Sequence, residues 1–529
     1  MPMKRRAFMR TAAAAGATAA LPAPYAIAQK SRPLRFVPTA DLSSLDPHWT
    51  TTQGVQTHGY YVFDTLFGVN GKLEPRPQMA EGHTVEDDGR TWLIRLRDGL
   101  RFHDGEPVLA RDCAASLKRW SARDIFGQTA ATFVDDWGAA DDRTVRIRLK
   151  RPFPLLADAL GKPNGMVPFI MPERLARTDP NKQMSEMVGS GPYRFLKDEF
   201  VQGSHVAYQR FDGYVPRQEA PDWTTGAKRA LIERVEWKII PDPSTVAAAL
   251  QNNEVDWWEQ IQPDLMPLMK RMAHLRVQNA NPIGYNGTMR FNHLHPPFNN
   301  LAVRRAVVLG LNQDDYMRAV TGNDESLFQQ CKALFPCGTR YGQQLGADIM
   351  QGDLAAARAA LKASGYAGEK VVVLNPADVP SIAPFGHVTY DYFRKLGMNA
   401  EMADVDWGSL VQRRNSREPV EKGGWSVFHT WWFGTSLAHP AISSVIRGLG
   451  AKGWPGWYEN ATIEKLTADW LIAATEPERD RLAEAIHREA LATLPSAPLG
   501  RFFINTAYRK DLSGMLEGTT PVPWNLAWS

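Results

Sequence analysis

The chain has 529 residues, 44% of them hydrophobic and 22% charged, which describes an ordinary globular protein and excludes a fibrous or disordered one. The length predicts about three domains. The formal excess of +4 equals the contribution of Lys4, Arg5, Arg6 and Arg10, which lie in a leader without Asp or Glu; the rest of the chain is neutral and offers no electrostatic case for nucleic acid.

Residues 1–28 read as an address. The paired arginines precede a weakly apolar Ala/Gly stretch, and Ala26-Ile27-Ala28 forms a small-x-small cleavage site. Arg5-Arg6-Ala7-Phe8 resembles the core of a bacterial twin-arginine (Tat) signal. The apolar part is too short and too alanine-rich to span a bilayer stably, and no other run reaches transmembrane length. The mature protein is expected to be soluble and exported to the periplasm.

Leu34–Val37 is predicted as a strand, followed by a polar loop ending in Leu45-Asp46-Pro47-His48-Trp49 and a helix near Val55–Thr65. Trp92, Ile94 and Leu96 alternate with Leu93, Arg95 and Arg97, as do Val145, Ile147 and Leu149 with Arg146, Arg148 and Lys150. Both patterns predict half-buried strands. Between them, Leu109–Trp120 reads as a helix holding Cys113, a small apolar core residue. Sheet character returns at Gly189-Ser190-Gly191-Pro192-Tyr193 and around Val235–Ile239. Asp242-Pro243 then opens a helix, as N-cap and first helical residue.

Beyond Tyr285 the texture becomes α/β. Helices are predicted at Leu301–Leu309, Gln313–Val320, Leu354–Ala363 and Val388–Leu396. Val371–Leu374 is an unbroken apolar run, the mark of a strand buried on both faces. A strand near Asn399–Ala403, a helix after Asp406 and the strand Trp425–Phe433 complete a βαβαβ unit. Cys331 and Cys337 flank a short segment with Pro336 that a disulfide would close. No His or acid stands at ligand spacing beside any cysteine, so no metal or catalytic role is expected for them.

The richest stretch is Gly423–Pro440, an aromatic run that breaks at Gly434 into Thr435 and Ser436. Trp431, Trp432 and Phe433 beside bare backbone and hydroxyls suit a small-molecule pocket, although buried core is the plainer alternative. In a βαβαβ sheet, ligands lie beyond the carboxyl ends of the parallel strands. Asn375–Asp378 and Gly434–Ser436 both occupy that place, which favours a pocket.

Several segments, in order, carry a resemblance. They are Leu45-Asp46-Pro47, Phe63-Asp64-Thr65-Leu66, the run Leu96–Pro107 with His103-Asp104-Gly105-Glu106-Pro107, Gly189–Tyr193, Glu254-Val255-Asp256, Phe298–Ala306, and Asp406–Leu410. Together they resemble the dipeptide-, oligopeptide- and nickel-binding family (family 5) of extracytoplasmic solute-binding proteins of ABC importers. The resemblance implies an α/β fold: a two-lobed periplasmic-binding-protein clamp, type II-like, with an inserted α+β domain. Lobe one would take 29–75, 185–285 and 495–529; the insert 76–184; lobe two 286–494. It implies a monomer without cofactor that closes on a small organic solute by hinge motion and hands it to the transmembrane subunits of a permease.

The expected ligand contacts are His48 and Trp49 from lobe one, Tyr285 and Asn286 at the crossing, and Asp378, Asp406, Trp407, Trp431, Trp432, Phe433, Gly434, Thr435 and Ser436 from lobe two. Peptide binders of this family usually follow the glycine with an aspartate that pairs with the ligand's α-ammonium. Thr435 and Ser436 stand there instead. A buried ammonium without a counter-charge is costly, so a neutral, anionic or N-blocked solute is expected unless Asp378 or Asp406 reaches across. Peptides or a metal chelate in the same fold remain the alternatives, the latter through His293-Leu294-His295 with His48 and His439. A secreted serine hydrolase built on Ser436, Asp469 and His487 is the remote one. The loop with Trp454, Trp457 and Tyr458 either covers the ligand or caps the lobe.

Overall fold

The computed structural model describes residues 32–322 and 324–529; the leader, with its twin-arginine and cleavage-site readings, lies outside the described residues. Two sheets organise the chain. The first has seven strands in the order Tyr193–Phe195, His205–Arg210, Arg234–Lys238, Leu34–Val37, Trp257–Trp258, Asn505–Arg509 and Leu275–Asn279. Leu34–Val37 lies parallel to both of its neighbours, and Phe36 packs against Trp237 and Trp257 at ring-centroid distances of 5.8 and 4.5 Å.

The second sheet has six strands: Phe328–Gln329, Ser496–Phe502, Tyr285–Phe291, Val427–Phe433, Lys370–Pro376 and Asn399–Val405. Lys370–Pro376 is parallel to both Asn399–Val405 and Val427–Phe433, the βαβαβ arrangement read from the apolar pattern. Val371, Val373 and Leu374 are fully buried, because helix Ala383–Leu396 packs on this layer and Trp425, Phe428 and Leu410 gather around Leu374.

An antiparallel sheet of Ala80–Glu86, Thr91–Leu96, Thr144–Leu149 and Val134–Asp141, with helix Ala110–Ser121 against it, forms the inserted part. The alternation works as expected: Trp92, Ile94, Val145 and Ile147 face the core, while Arg95 and Arg148 stay exposed. Cys113 is buried and free.

Two expectations about the second lobe change. Ser496–Phe502, assigned by sequence to lobe one, pairs with Tyr285–Phe291 in the second sheet, so the chain leaves that lobe at 503–504. A helical pair, Ala461–Ile472 and Glu476–Thr493, fills a region left unassigned; the N-caps Asn460 and Thr475, with Pro477 in the first turn, are its signals in the sequence. Cys331 and Cys337 form a disulfide with Cα atoms 5.8 Å apart.

The recurring motifs turn out to hold the layers together. Asp46 pairs with the buried Arg119 of the insert at 2.6 Å, Asp64 with Lys228 at 2.8 Å, and Asp256 with Arg35 at 2.8 Å. His103 Nε2 donates to the carbonyl of Gly191 at 3.0 Å, joining two of the motifs. A Cβ on Gly189 would stand 2.0 Å from the Val62 carbonyl oxygen, so only glycine lets these backbones meet.

Candidate functional site

The two large sheets are joined directly by two short segments, 280–284 and 503–504, between Leu275–Asn279 and Tyr285–Phe291 and between Ser496–Phe502 and Asn505–Arg509. Cavities lie on this seam. One of about 400 Å³ is bounded by Thr51 and Gln56 of the first lobe, Lys162 and Asn164 of the insert, and Trp432, Phe433, Thr435 and Ser436 of the second. Another, of about 280 Å³, lies between Thr39, Gln260 and Met266 on one side and Asp378, Ser381 and Phe502 on the other. Trp431 lines both. Its indole N–H donates to Ser381 Oγ at 3.0 Å, which fixes the ring between them.

The strand Val427–Phe433 supplies the aromatic wall because it is parallel to Lys370–Pro376 and ends on the seam side of the sheet. It stops at Gly434, where a Cβ would stand 2.2 Å from Ile283 Cγ2; the close approach to the crossing segment excludes any larger residue. Gly434–Ser436 then forms a single 3₁₀ turn. Thr435 Oγ1 donates to Asn164 Oδ1, and the same oxygen accepts from Thr519 Oγ1 at 3.0 Å. Asn164 therefore ties the second lobe to the C-terminal part of the first. Its Nδ2, like the indole nitrogen of Trp432, is buried without a partner.

The predicted residues divide. Trp431, Trp432, Phe433, Thr435 and Ser436 line the larger cavity, and Asp378 the smaller. Tyr285 is buried at the crossing, with its ring 4.8 Å from that of Trp431 and its hydroxyl accepting from Gln260 Nε2 at 2.7 Å. Asn286 is buried beneath, paired in register with Trp432.

His48 and Trp49 fall short of the cavities. His48 is fully buried, donates to the Val167 carbonyl at 3.1 Å and is pushed down to about pKa 4 by desolvation. Trp49 stacks under Arg123, which does line the larger cavity. Asp406 is exposed and caps the helix Trp407–Arg413 through the Ser409 N–H at 2.9 Å. Trp407 packs at the edge of the Leu374 cluster. Asp378 accepts the Trp407 N–H at 2.8 Å through one oxygen and borders the smaller cavity without a cation partner among the described residues, so of the two acids only Asp378 stands where a ligand cation could meet it.

The rival constellations do not assemble. His487 Nε2 accepts the Leu334 N–H at 3.0 Å and Asp469 pairs with Lys465 at 2.7 Å, which leaves Ser436 without a base. His293 and His295 bond separately to the carbonyls of Pro495 and Arg417. Trp454 packs 5.3 Å from Trp432, and Tyr458 bonds Thr493 at 2.6 Å; this loop backs the aromatic wall.

Sequence reasoning missed Asn164, Lys162, Gln260 and Glu259. Asn164 sits in the Lys162-Pro163-Asn164-Gly165 turn, which reads only as a chain breaker. Glu259 follows the strand Trp257–Trp258, and its position directly after an aromatic pair was the available signal. Its carboxyl is pushed up to about pKa 7 by desolvation, with hydrogen bonding from Thr39 opposing.

Residues 74–453 match the family described as bacterial extracellular solute-binding proteins, family 5 Middle. The chain is 36% identical over 534 residues to a protein of Sinorhizobium fredii named "Probable peptide ABC transporter periplasmic-binding protein y4tO", covering 99% of each. Among solved structures, an ABC transporter substrate-binding protein, CtaP of Listeria monocytogenes, aligns with a TM-score of 0.78 at 20% identity, over 94% of this chain and 100% of that one. A dipeptide-binding protein from Pseudoalteromonas sp. SM9913, solved with Met-Leu, aligns with a TM-score of 0.75 at 17% identity, over 94% and 100%. The family match over most of the chain, the full-length relative and the two-lobed fold agree: the protein belongs to the family 5 extracellular solute-binding proteins, which serve ABC transporters.

Proposed function

We propose that this protein captures a small organic solute between its lobes in the periplasm, as a monomer, and presents the closed form to the transmembrane subunits of an ABC permease. The observation that carries this reading is the seam itself: cavities of about 400 and 280 Å³ take their walls from both lobes, and two short crossings form the direct links between the sheets. Rotation about such a pair of crossings opens the seam without breaking either sheet. Closure hides the solute from water, and its contacts with both walls favour the closed state over the open one. Solute identity is left at the class that the walls describe: a flat or apolar body held by aromatic rings, with a few polar groups. No step requires turnover, and Ser436 acts as a wall residue.

The test is native mass spectrometry of the protein purified without refolding, followed by small-angle scattering before and after solute removal. A retained small molecule whose removal expands the protein supports the reading. A radius of gyration that stays constant with every solute offered would refute hinge capture.

A further inference from the structure

We infer that Glu259 is a ligand-binding residue, its carboxylate seating a positively charged nitrogen of the captured solute, such as a primary ammonium, at the floor of the seam. This rests on the interlobe-capture reading above.

Glu259 leaves the end of Trp257–Trp258 in the first sheet, beside the crossing into the second lobe. Its Oε2 accepts the Thr39 N–H at 2.7 Å and its Oε1 accepts the side-chain amide of Gln53. These donors and the Thr39 hydroxyl, which also bonds the carboxyl, are all neutral, and an ionised carboxylate has about four acceptor positions, so one stays open. Of the buried acids, Asp46, Asp64, Asp124 and Asp256 each hold a Lys or Arg, while Asp112 spends its two oxygens on the N–H groups of Leu109 and Glu173 at a helix start. Among the described residues, Glu259 forms no such pair, and no cation contributes to the environment of its carboxyl. A half-buried carboxylate at the edge of a cavity, desolvated without a counter-charge and capping no helix, is costly.

The space in front of it is sized for a head group. Glu259, Asn281 and Tyr285 border a recess of about 30 Å³, roughly the volume that one water molecule takes in the liquid. Asn281 is 6% exposed and its Nδ2 makes no well-formed hydrogen bond, with the Tyr285 hydroxyl beside it. Gln260 and Ile504 line both this recess and the 280 Å³ cavity. A solute with its body against Trp431 thus lies next to the recess, with Gln260 and Ile504 as the residues between. Asn281 and Ile504 belong to the two crossings, so a cation held here bears on the segments that must turn during closure. The acid missing after Gly434 in the second lobe has its counterpart in the first, and the expected preference for N-blocked or anionic solutes reverses.

The experiment is calorimetry and thermal shift on the stripped full-length mature protein. The probes are paired: dipeptides, single amino acids and diamines, each beside its N-acetyl derivative, with neutral sugars and dicarboxylic acids as the contrasting set. The expected result is binding by amine-bearing members that falls at least tenfold on acetylation and at least tenfold in Glu259→Gln, with Glu259→Asp intermediate. Equal binding of the acetylated partners, or amine binding that survives Glu259→Gln, overturns the assignment. Binding confined to the sugars or diacids overturns it too, while leaving interlobe capture intact. Absence of compaction with every solute, the retained one included, is instead the failure of the capture reading. Should Glu259→Gln lower the melting temperature of the empty protein, the Asp variant alone decides the comparison.

Discussion

Thr435→Val tests how the lobes are held together. The substitution keeps the shape of the side chain and removes the hydroxyl that donates to Asn164 Oδ1. Asn164 keeps its bond from Thr519 at 3.0 Å, so no acceptor is orphaned and the loss is that of one buried neutral hydrogen bond, about 1 kcal/mol. The bond joins residues from opposite sides of the seam, so the loss falls on the closed form and the open form is unaffected. Affinity for the retained solute should therefore drop about fivefold, since roughly 1.4 kcal/mol is tenfold, while the denaturation midpoint of the empty protein changes little. Asn164→Ala removes both bonds, but only the one from Thr435 crosses the seam; it should cost about 1 kcal/mol of binding, while loss of the Thr519 bond and the gap lower the stability of the empty protein. A double-mutant cycle isolates the shared term: the two changes together should cost about 1 kcal/mol less than their sum. Strict additivity, measured by calorimetry, would show that the contact does not operate in solution and would remove the bridge from the closing mechanism.

Thiol counting on the denatured, unreduced protein should find one reactive group, Cys113, because Cys331 and Cys337 are paired; reduction should cost roughly 2–3 kcal/mol on the chain-entropy model. Stability of the empty protein should fall between about pH 5 and 8. The Glu259 carboxyl is raised from 4.5 to about 7 by desolvation, so the folded state binds the extra proton through that window and its contribution is lost as pH rises. The full effect is at most about 3 kcal/mol, less what solvent screening removes from a half-buried group, and Glu259→Gln should flatten the profile; an unchanged pH slope in urea titrations contradicts this. Replacing Arg5 and Arg6 by lysine should strand the precursor in the cytoplasm, as periplasmic fractionation would reveal, and undiminished export would mean that the signal is not twin-arginine dependent. Ser436→Ala should leave any trace esterase activity unchanged, and its abolition would revive the hydrolase alternative.

Much of the architecture was written locally. The period-two alternation of Trp92–Leu96 and Val145–Leu149, the unbroken run Val371–Leu374, and the caps Asp242, Asn300 and Asp353 act within a few residues. Each fixes an element whatever the rest of the chain does. The aromatic wall was legible for the same reason: a strand rich in Trp and Phe that ends in glycine has few uses other than a core or a pocket, and the βαβαβ topology placed its end on the seam. The strand Ser496–Phe502 was misplaced because no local pattern states which of two sheets a strand joins.

The motifs that revealed the family proved to be scaffold. Asp46, Asp64 and Asp256 are spent on Arg119, Lys228 and Arg35, partners 73, 164 and 221 residues away. His48 was drawn into the site by its neighbourhood in sequence, yet it is sealed in the core by its bond to Val167. Conversely Asn164 carries no local sign, and Glu259 only its place after the aromatic pair Trp257–Trp258. Whether a polar side chain is satisfied, or left facing a cavity, depends on the groups that the fold brings around it from distant segments. Sequence by itself determined the elements and the family, and it pointed to the aromatic residues that line the seam cavity. The tertiary structure alone decided which carboxylates are neutralised and which are left without a cation, because charge compensation is a property of space and leaves no trace in the order of residues.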